Sequence, residues 1–162
     1  MKKSIVCLGI DPGISNTGWG IVSRASRCSK FVYLDSGVIT TSKALALPDR
    51  INQIHQNLCP VLLEHPVSMV CVEGVYFNRN VSSCISTAQV IGAVCVAAES
   101  VGAAVLVETP QRIKQSVGFG RGASKKQVAL AVSRLLHNTS KFNIHHESDS
   151  LAAAICGLLI TQ

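Results

Sequence analysis

Apolar residues fall along this chain in two rhythms. Compact runs occupy positions 4–10, 18–23 and 31–40, and the first closes on Asp11-Pro12-Gly13. Runs this short, rich in Ile, Val and Leu and bounded by turn residues, read as strands. The polar stretch holding Arg24, Ser26, Arg27, Ser29 and Lys30 suits a hairpin connection between the second and third. Beyond residue 45 the rhythm lengthens: Leu47, Ile51, Ile54, Leu58 and Leu62 recur every three to four positions, predicting a helix over 45–63. Pro48 lies near its start, and Pro60 predicts a kink or a break.

A fourth apolar run, 67–72, ends on Glu73, and the Ala- and Gly-bearing segment 82–101 predicts a long, well-buried helix. Positions 103–107 give a fifth strand. Thr109-Pro110 pairs a capping residue with proline at the first helical position, which starts a helix carrying Arg112 and Lys114. Gly118-Phe119-Gly120-Arg121-Gly122 is a loop by composition, and Ser124 with Gln127 makes a capping box opening a helix to about residue 137. Over 145–160 helical spacing returns, with His146 and Asp149 one turn apart on one face. Strands first, then strands alternating with helices, predict an α/β domain: a five-stranded mixed sheet flanked by helices on both faces, opening with an antiparallel meander. With 162 residues the chain fits a single domain spanning 1–162.

Composition narrows the picture. A hydrophobic fraction of 48% against 15% charged residues excludes a disordered chain. No uninterrupted apolar run reaches the roughly 18 residues of a membrane span, and Met1-Lys2-Lys3 leads straight into a strand, so a cytoplasmic protein with no membrane partner is expected. The seven cysteines form no CxxC or zinc-type spacing and lie mostly in apolar runs, which predicts reduced core residues. The formal charge of +6 suits a polyanionic partner, and its distribution says more. From residue 109 to 146 there are seven basic residues, Arg112, Lys114, Arg121, Lys125, Lys126, Arg134 and Lys141, and no acidic one. Such a stretch has the electrostatic footprint of phosphate binding.

The candidate chemistry sits at strand ends. Burying a carboxylate costs several kcal/mol unless a cation offsets it, so Asp11 after an apolar strand and Glu73 after another call for a reason. Taken singly, Asp-Pro-Gly marks a turn and a Glu after a strand faces solvent; jointly placed, they gain meaning. If the first and fourth strands are neighbours, Asp11 and Glu73 leave the same sheet edge, where the last helix can bring His146 and Asp149. Oxygen-rich donors of this kind suit magnesium, and two such ions can clamp a scissile phosphate. His146 serves equally as a ligand or as a proton relay. Tyr76 and Phe77, close behind Glu73 in a segment that also holds Arg79, suit stacking on an unpaired base.

These residues carry a resemblance. Gly9-Ile10-Asp11-Pro12-Gly13 with Thr17-Gly18-Trp19-Gly20 resembles the opening of the RuvC family of Holliday-junction resolvases. Further matches follow in order: Ser36-Gly37-Val38-Ile39, Pro48-Asp49-Arg50, Glu73 with Tyr76, Ile113-Lys114-Gln115, residues 125–128, and His146-x-x-Asp149-Ser150-Leu151-Ala152. The resemblance implies a ribonuclease-H-like fold and a homodimer that resolves four-way junction DNA by paired symmetric nicks. It also implies magnesium, two ions per site, with manganese able to substitute, and a branch-migration helicase complex as partner. Residue by residue it assigns Asp11, Glu73 and Asp149 as metal-binding carboxylates and His146 to a fourth position that holds Asp or His. It assigns Tyr76 to stacking at the junction centre, and Lys114 and Lys125 to DNA phosphate, with Lys126 a neighbouring substitute. Gly74 departs from the Gln common after the Glu, and the loop carrying Arg121 is one residue out of register, which leaves sequence preference open. The alternatives are a non-cutting junction-binding module and another ribonuclease-H-like nuclease such as the YqgF type. Two-domain sugar-kinase and actin-like ATPases are excluded by length.

Overall fold

Three strands joined by short turns open the chain in the computed structural model, which describes residues 4–75, 81–120, 122–137 and 146–161. They are β1 (Ile5–Asp11), β2 (Asn16–Arg24) and β3 (Val32–Thr40), paired as an antiparallel meander. At the second turn the Arg24 guanidinium lies 4.4 Å from the centroid of the Phe31 ring, and its Nε donates to the Ser29 carbonyl at 3.0 Å. This cation–π contact joins the two strand ends across the polar connection.

After β3 come α1 (Leu47–Glu64), β4 (Met69–Glu73), α2 (Val81–Ser100) and β5 (Ala104–Glu108). The strands β4 and β5 add in parallel to β1, giving the order β3-β2-β1-β4-β5. The chain ends on α3 (Pro110–Ser116), α4 (Lys125–Leu135) and α5 (His146–Ile160). The expected five-stranded mixed sheet with helices on both faces is the observed one.

Strand periodicity divides the core. Val6, Leu8, Ile10, Ile21, Val70 and Val72 point to one face, against Ile54 and Leu58 of α1 and Val90 and Val94 of α2. Cys7, Val22, Met69 and Cys71 point to the other, against α5, Ile113 of α3 and Val128 of α4. Ten of the fifteen residues of α5 are buried, so this helix is the centre of the second layer.

That packing depends on glycine. A Cβ on Gly9 would strike the Ser150 carbonyl and the Ala154 backbone, and one on Gly18 would strike the His146 carbonyl. One on Gly20 would meet Leu151 at 2.7 Å. The side-chain-free track along β1 and β2 lets α5 lie directly on the sheet and fixes where its first turn starts.

Four local expectations need correction. Pro60 does not break the helix: α1 runs continuously from Leu47 to Glu64. Pro60 is exposed, so the carbonyl that loses its N–H partner can face water, while Ile54, Leu58 and Leu62 hold the buried side in register. The helix α2 is less buried than its composition suggested. Only Val90, Val94, Ala97 and Ala98 are buried, whereas Val81, Ile85 and Val96 are 56–64% exposed. By length and composition α2 would also suffice to cross a bilayer, which corrects the reading from uninterrupted runs. The cysteines are all free, as expected, but only Cys7, Cys71 and Cys156 are buried; Cys28 on the hairpin is exposed.

Candidate active site

Strand parity aims the first two carboxylates. Asp11 shares the side of β1 occupied by Cys7 and Gly9, and Glu73 the side of β4 occupied by Met69 and Cys71, so both face the α5 layer. The parallel register pairs Ile10 with Val72, which places Asp11 and Glu73 next to each other, one residue beyond. Both stand at carboxyl ends of neighbouring parallel strands, as the sequence predicted. Across the other ladder Asp11 pairs with Gly18, over which the His146 carbonyl lies.

The same close approach delivers His146 to Asp11. The His146 Nδ1 and Asp11 Oδ2 are 2.9 Å apart. One turn on, Asp149 Oδ2 lies 3.1 Å from the Lys125 Nζ at the start of α4. Ser124, the residue before Lys125, caps α4 with the expected box: its hydroxyl accepts from the Gln127 backbone, and its own N–H donates to the Gln127 side chain. The first turn of α5 is tied to β3, where the Ser36 hydroxyl donates to Glu147 Oε2 at 3.1 Å and also contacts the Tyr33 hydroxyl. Acids at Glu147 and Asp149 complement the positive end of the α5 dipole.

Asp11, Glu73 and Asp149 thus edge one cavity of about 140 Å³, together with Lys114, Lys125 and the apolar Pro110, Ile113, Val128 and Ala152. Its walls follow helical spacing: Pro110, Ile113 and Lys114 on α3, Lys125 and Val128 on α4, Asp149 and Ala152 on α5. Burial pushes the Glu73 carboxyl from its ordinary 4.5 up to about 7, helped by repulsion from Asp11 and Asp149 and opposed by Lys125 and Lys114. Burial likewise raises Asp11, against the lowering effect of its hydrogen bond to His146. For the Lys125 ammonium, partial burial favours the neutral form, but the Asp149, Asp11 and Glu73 charges outweigh it and raise its pKa.

Three carboxylates sharing a small, partly buried cavity form a donor set that suits a hard divalent cation. The raised pKa values of Asp11 and Glu73 reflect burial first and repulsion between neighbouring carboxylates second. Among the described residues, no three His, Cys, Asp or Glu side chains are drawn together tightly enough to ligate one ion. His146 and Lys125 instead occupy one oxygen each of Asp11 and Asp149. Of the four expected side chains, Asp11, Glu73 and Asp149 line the cavity, while His146 stands behind Asp11 as its hydrogen-bond partner and is not part of the lining.

Of the expected DNA-binding residues, Lys114 and Lys125 lie in the cavity wall, turned toward the carboxylates. Lys114 Nζ donates to the Ala123 carbonyl at 3.1 Å. Lys126 is exposed beside them. Tyr76, Phe77, Arg79 and Arg121 lie outside the described residues. Sequence reasoning did not assign the ion pairs His146–Asp11 and Lys125–Asp149, nor the apolar wall; the three-residue spacings on α3, α4 and α5 carried a signal for the wall.

A mixed sheet of this order, with carboxylates at the ends of its two central parallel strands and on the final helix, is a ribonuclease-H-like domain with an acidic centre. The family model for crossover junction endodeoxyribonuclease RuvC matches residues 7–157. A relative of that description from Syntrophomonas wolfei is 39% identical over 93% of this chain and 87% of its own length. Another, from Citrifermentans bemidjiense, is 37% identical over 94% of this chain and 91% of its own. The Thermus thermophilus RuvC structure superposes with a TM-score of 0.87 at 30% identity, covering 97% of this chain and 95% of that one. The same protein in complex with a Holliday junction substrate gives 0.86 at 29% identity, with the same coverage. The chain belongs to the RuvC family of crossover junction endodeoxyribonucleases.

Proposed function

We infer that the chain is a structure-selective endonuclease that resolves four-way DNA junctions by paired symmetric nicks. The observation that carries the reading is the meeting of Asp11, Glu73 and Asp149, from β1, β4 and α5, around one cavity whose remaining polar wall is Lys114 and Lys125. In a member of this family that arrangement combines an acidic centre with cations placed for a phosphodiester.

Asp11, Glu73, Asp149 and His146 are the residues that would hold magnesium, with manganese as a substitute. When bound, two such ions supply Lewis-acid charge for the attacking water and the leaving oxygen of the scissile phosphodiester. The protein's own part is positional. The strands β1 and β4 fix Asp11 and Glu73 on rigid elements, and the glycine track sets His146 and Asp149 against them. Lys114 and Lys125 offer charge to the phosphate next to the scissile bond, and the exposed Lys126 extends that charge along the backbone. Tyr76 is assigned to stacking at the unpaired junction centre, with Phe77, Arg79 and Arg121 along the DNA path.

Paired nicks need two sites, and among the described residues one such cavity holds the three carboxylates, so the active form is a homodimer. The uncovered apolar side of α2, with Val81, Ile85 and Val96, and the groove it forms with α1 beside Leu47 and Ile51, support that assembly. Its role calls for a branch-migration helicase to bring crossovers to it, and seven free cysteines suit the reducing cytoplasm. The test is incubation of purified protein with a labelled synthetic four-way junction, with and without magnesium, beside a linear duplex of the same sequence. Symmetric, magnesium-dependent nicks confined to the junction are expected. Binding without cutting, across several junction sequences and with manganese, would replace this reading with a non-cutting junction-binding module.

A further inference from the structure

Asp11 is the last residue of β1, so one side of it is held by the ladder to β2 and the other by the turn at residues 12–15. That turn is secured carbonyl by carbonyl. The Thr17 hydroxyl donates to the Gly13 carbonyl at 2.9 Å, the Thr41 N–H to the Ser15 carbonyl at 3.0 Å, and the Thr41 hydroxyl to the Ile14 carbonyl. Both threonines are buried, at 0% and 4% exposure. The piece that joins this network to the rest of the fold comes from α1, on the opposite face of the sheet from α5.

Arg50, in the first turn of α1, reaches the turn with its guanidinium. Its Nε donates to the Thr41 hydroxyl at 2.9 Å, and its Nη2 to the Ser15 hydroxyl at 2.9 Å and the Ile14 carbonyl at 3.2 Å. All three acceptors are neutral, and among the described residues no carboxylate pairs with it. A charge spent on neutral acceptors adds little as an ion pair; its use is the planar fork, which holds three groups in fixed relation. We propose that Arg50 is a positioning residue for cleavage, setting the turn that follows Asp11 and through it the orientation of the Asp11 carboxylate. The proposal rests on the reading of Asp11 as part of a nuclease site.

A group misplaced by about 1 Å at a reacting centre costs on the order of a hundredfold in rate. Arg50→Ala therefore loses roughly 10- to 100-fold in single-turnover cleavage at saturating junction, while junction affinity stays within about twofold. Guanidinium ion at about 20 mM, far below denaturing levels, restores part of the rate relative to sodium chloride of equal ionic strength. Arg50→Lys, a point charge without the fork, does not restore it. Ser15→Ala removes a single acceptor and loses about fivefold, which keeps the test decisive if Arg50→Ala fails to fold. An unchanged rate in the soluble variants would overturn the proposal. So would a parallel loss of affinity with a shallower salt dependence, which would make Arg50 a phosphate contact instead. Wild-type protein run alongside separates the two levels: if it fails to cut, the nuclease reading falls and this inference with it.

Discussion

Replacing Glu73 with Gln should stabilise the metal-free protein while abolishing cleavage. The folded chain holds the Glu73 proton up to about pH 7, whereas an unperturbed carboxyl releases it near 4.5. Between those values the unfolded state binds fewer protons than the folded one, so stability falls as pH rises through that window and levels off above it. A difference of that width, at 1.36 kcal/mol per unit, amounts to about 3 kcal/mol at pH 8. Glutamine keeps the shape and removes the charge. For a chain of this length about 3 kcal/mol raises the midpoint of thermal unfolding by roughly 6–12 °C. The assay is thermal unfolding by circular dichroism in chelator, for wild type and Glu73→Gln, at pH 4.5, 6 and 8. The variant's advantage should be a few tenths of a kcal/mol at pH 4.5 and grow with pH. Added magnesium should then raise the wild-type midpoint more than the variant's. Equal midpoints at pH 8, or an offset that does not change with pH, would refute the account of Glu73 as an ionised group held against burial and two like charges.

Three further outcomes follow from the same geometry. On the proposed function, Asp11→Asn should abolish junction cleavage and leave junction binding in gel shift nearly intact, because it would remove one of the oxygens proposed to hold the cation without touching the basic surface; equal losses of both would count against that role. Gly18→Ala should destabilise by about 2 kcal/mol or more in urea unfolding, because its Cβ meets backbone at the start of α5 that cannot rotate aside; a neutral result would mean that α5 is not seated on this track. Lys125→Ala should cost about 1 kcal/mol or more of stability in urea unfolding, because it leaves the Asp149 carboxylate, 17% exposed, without its ion-pair partner. It should also move the Glu73 titration upward in a carboxyl carbon NMR titration of the metal-free protein, because Lys125 opposes the rise; an unmoved titration would show that the two do not sense each other.

Local signals survived the passage from sequence to structure. The strands were legible because each is a short apolar run stopped by a turn, and the ends on Asp11 and Glu73 made their edge positions visible. The caps at Thr109 and Ser124 were legible because capping involves residues three apart in sequence. Directional facts were not. Composition gave α2 its helix but not the direction of its apolar side, which remains uncovered at Val81, Ile85 and Val96. Pro60 carried a break signal that depends on which side of the helix faces water, and periodicity alone did not weigh that. Within the site, the pairing of His146 with Asp11 and of Lys125 with Asp149 depends on how α4 and α5 seat on the sheet. The one advance sign of that seating was the row of glycines, Gly9, Gly18 and Gly20, at positions where a strand would otherwise carry bulk.

The two ion pairs at the cavity are unequal in a way that bears on how such a site is loaded. Asp149 and Asp11 are only 17% and 21% exposed and are fixed by α5 and β1, while their partners Lys125 and His146 are 58% and 35% exposed. In the Lys125–Asp149 pair the carboxylate is the more buried member and the long lysine side chain the more exposed one. Exchanging Lys125 for another cation thus requires one long, largely exposed side chain to swing. A lysine released from Asp149 is a free ammonium at the mouth of the cavity, beside Lys114 and Lys126. On the proposed function, filling the acidic centre and strengthening the grip on phosphate are then two results of one rotamer change, which couples cation binding to DNA binding with the same sign.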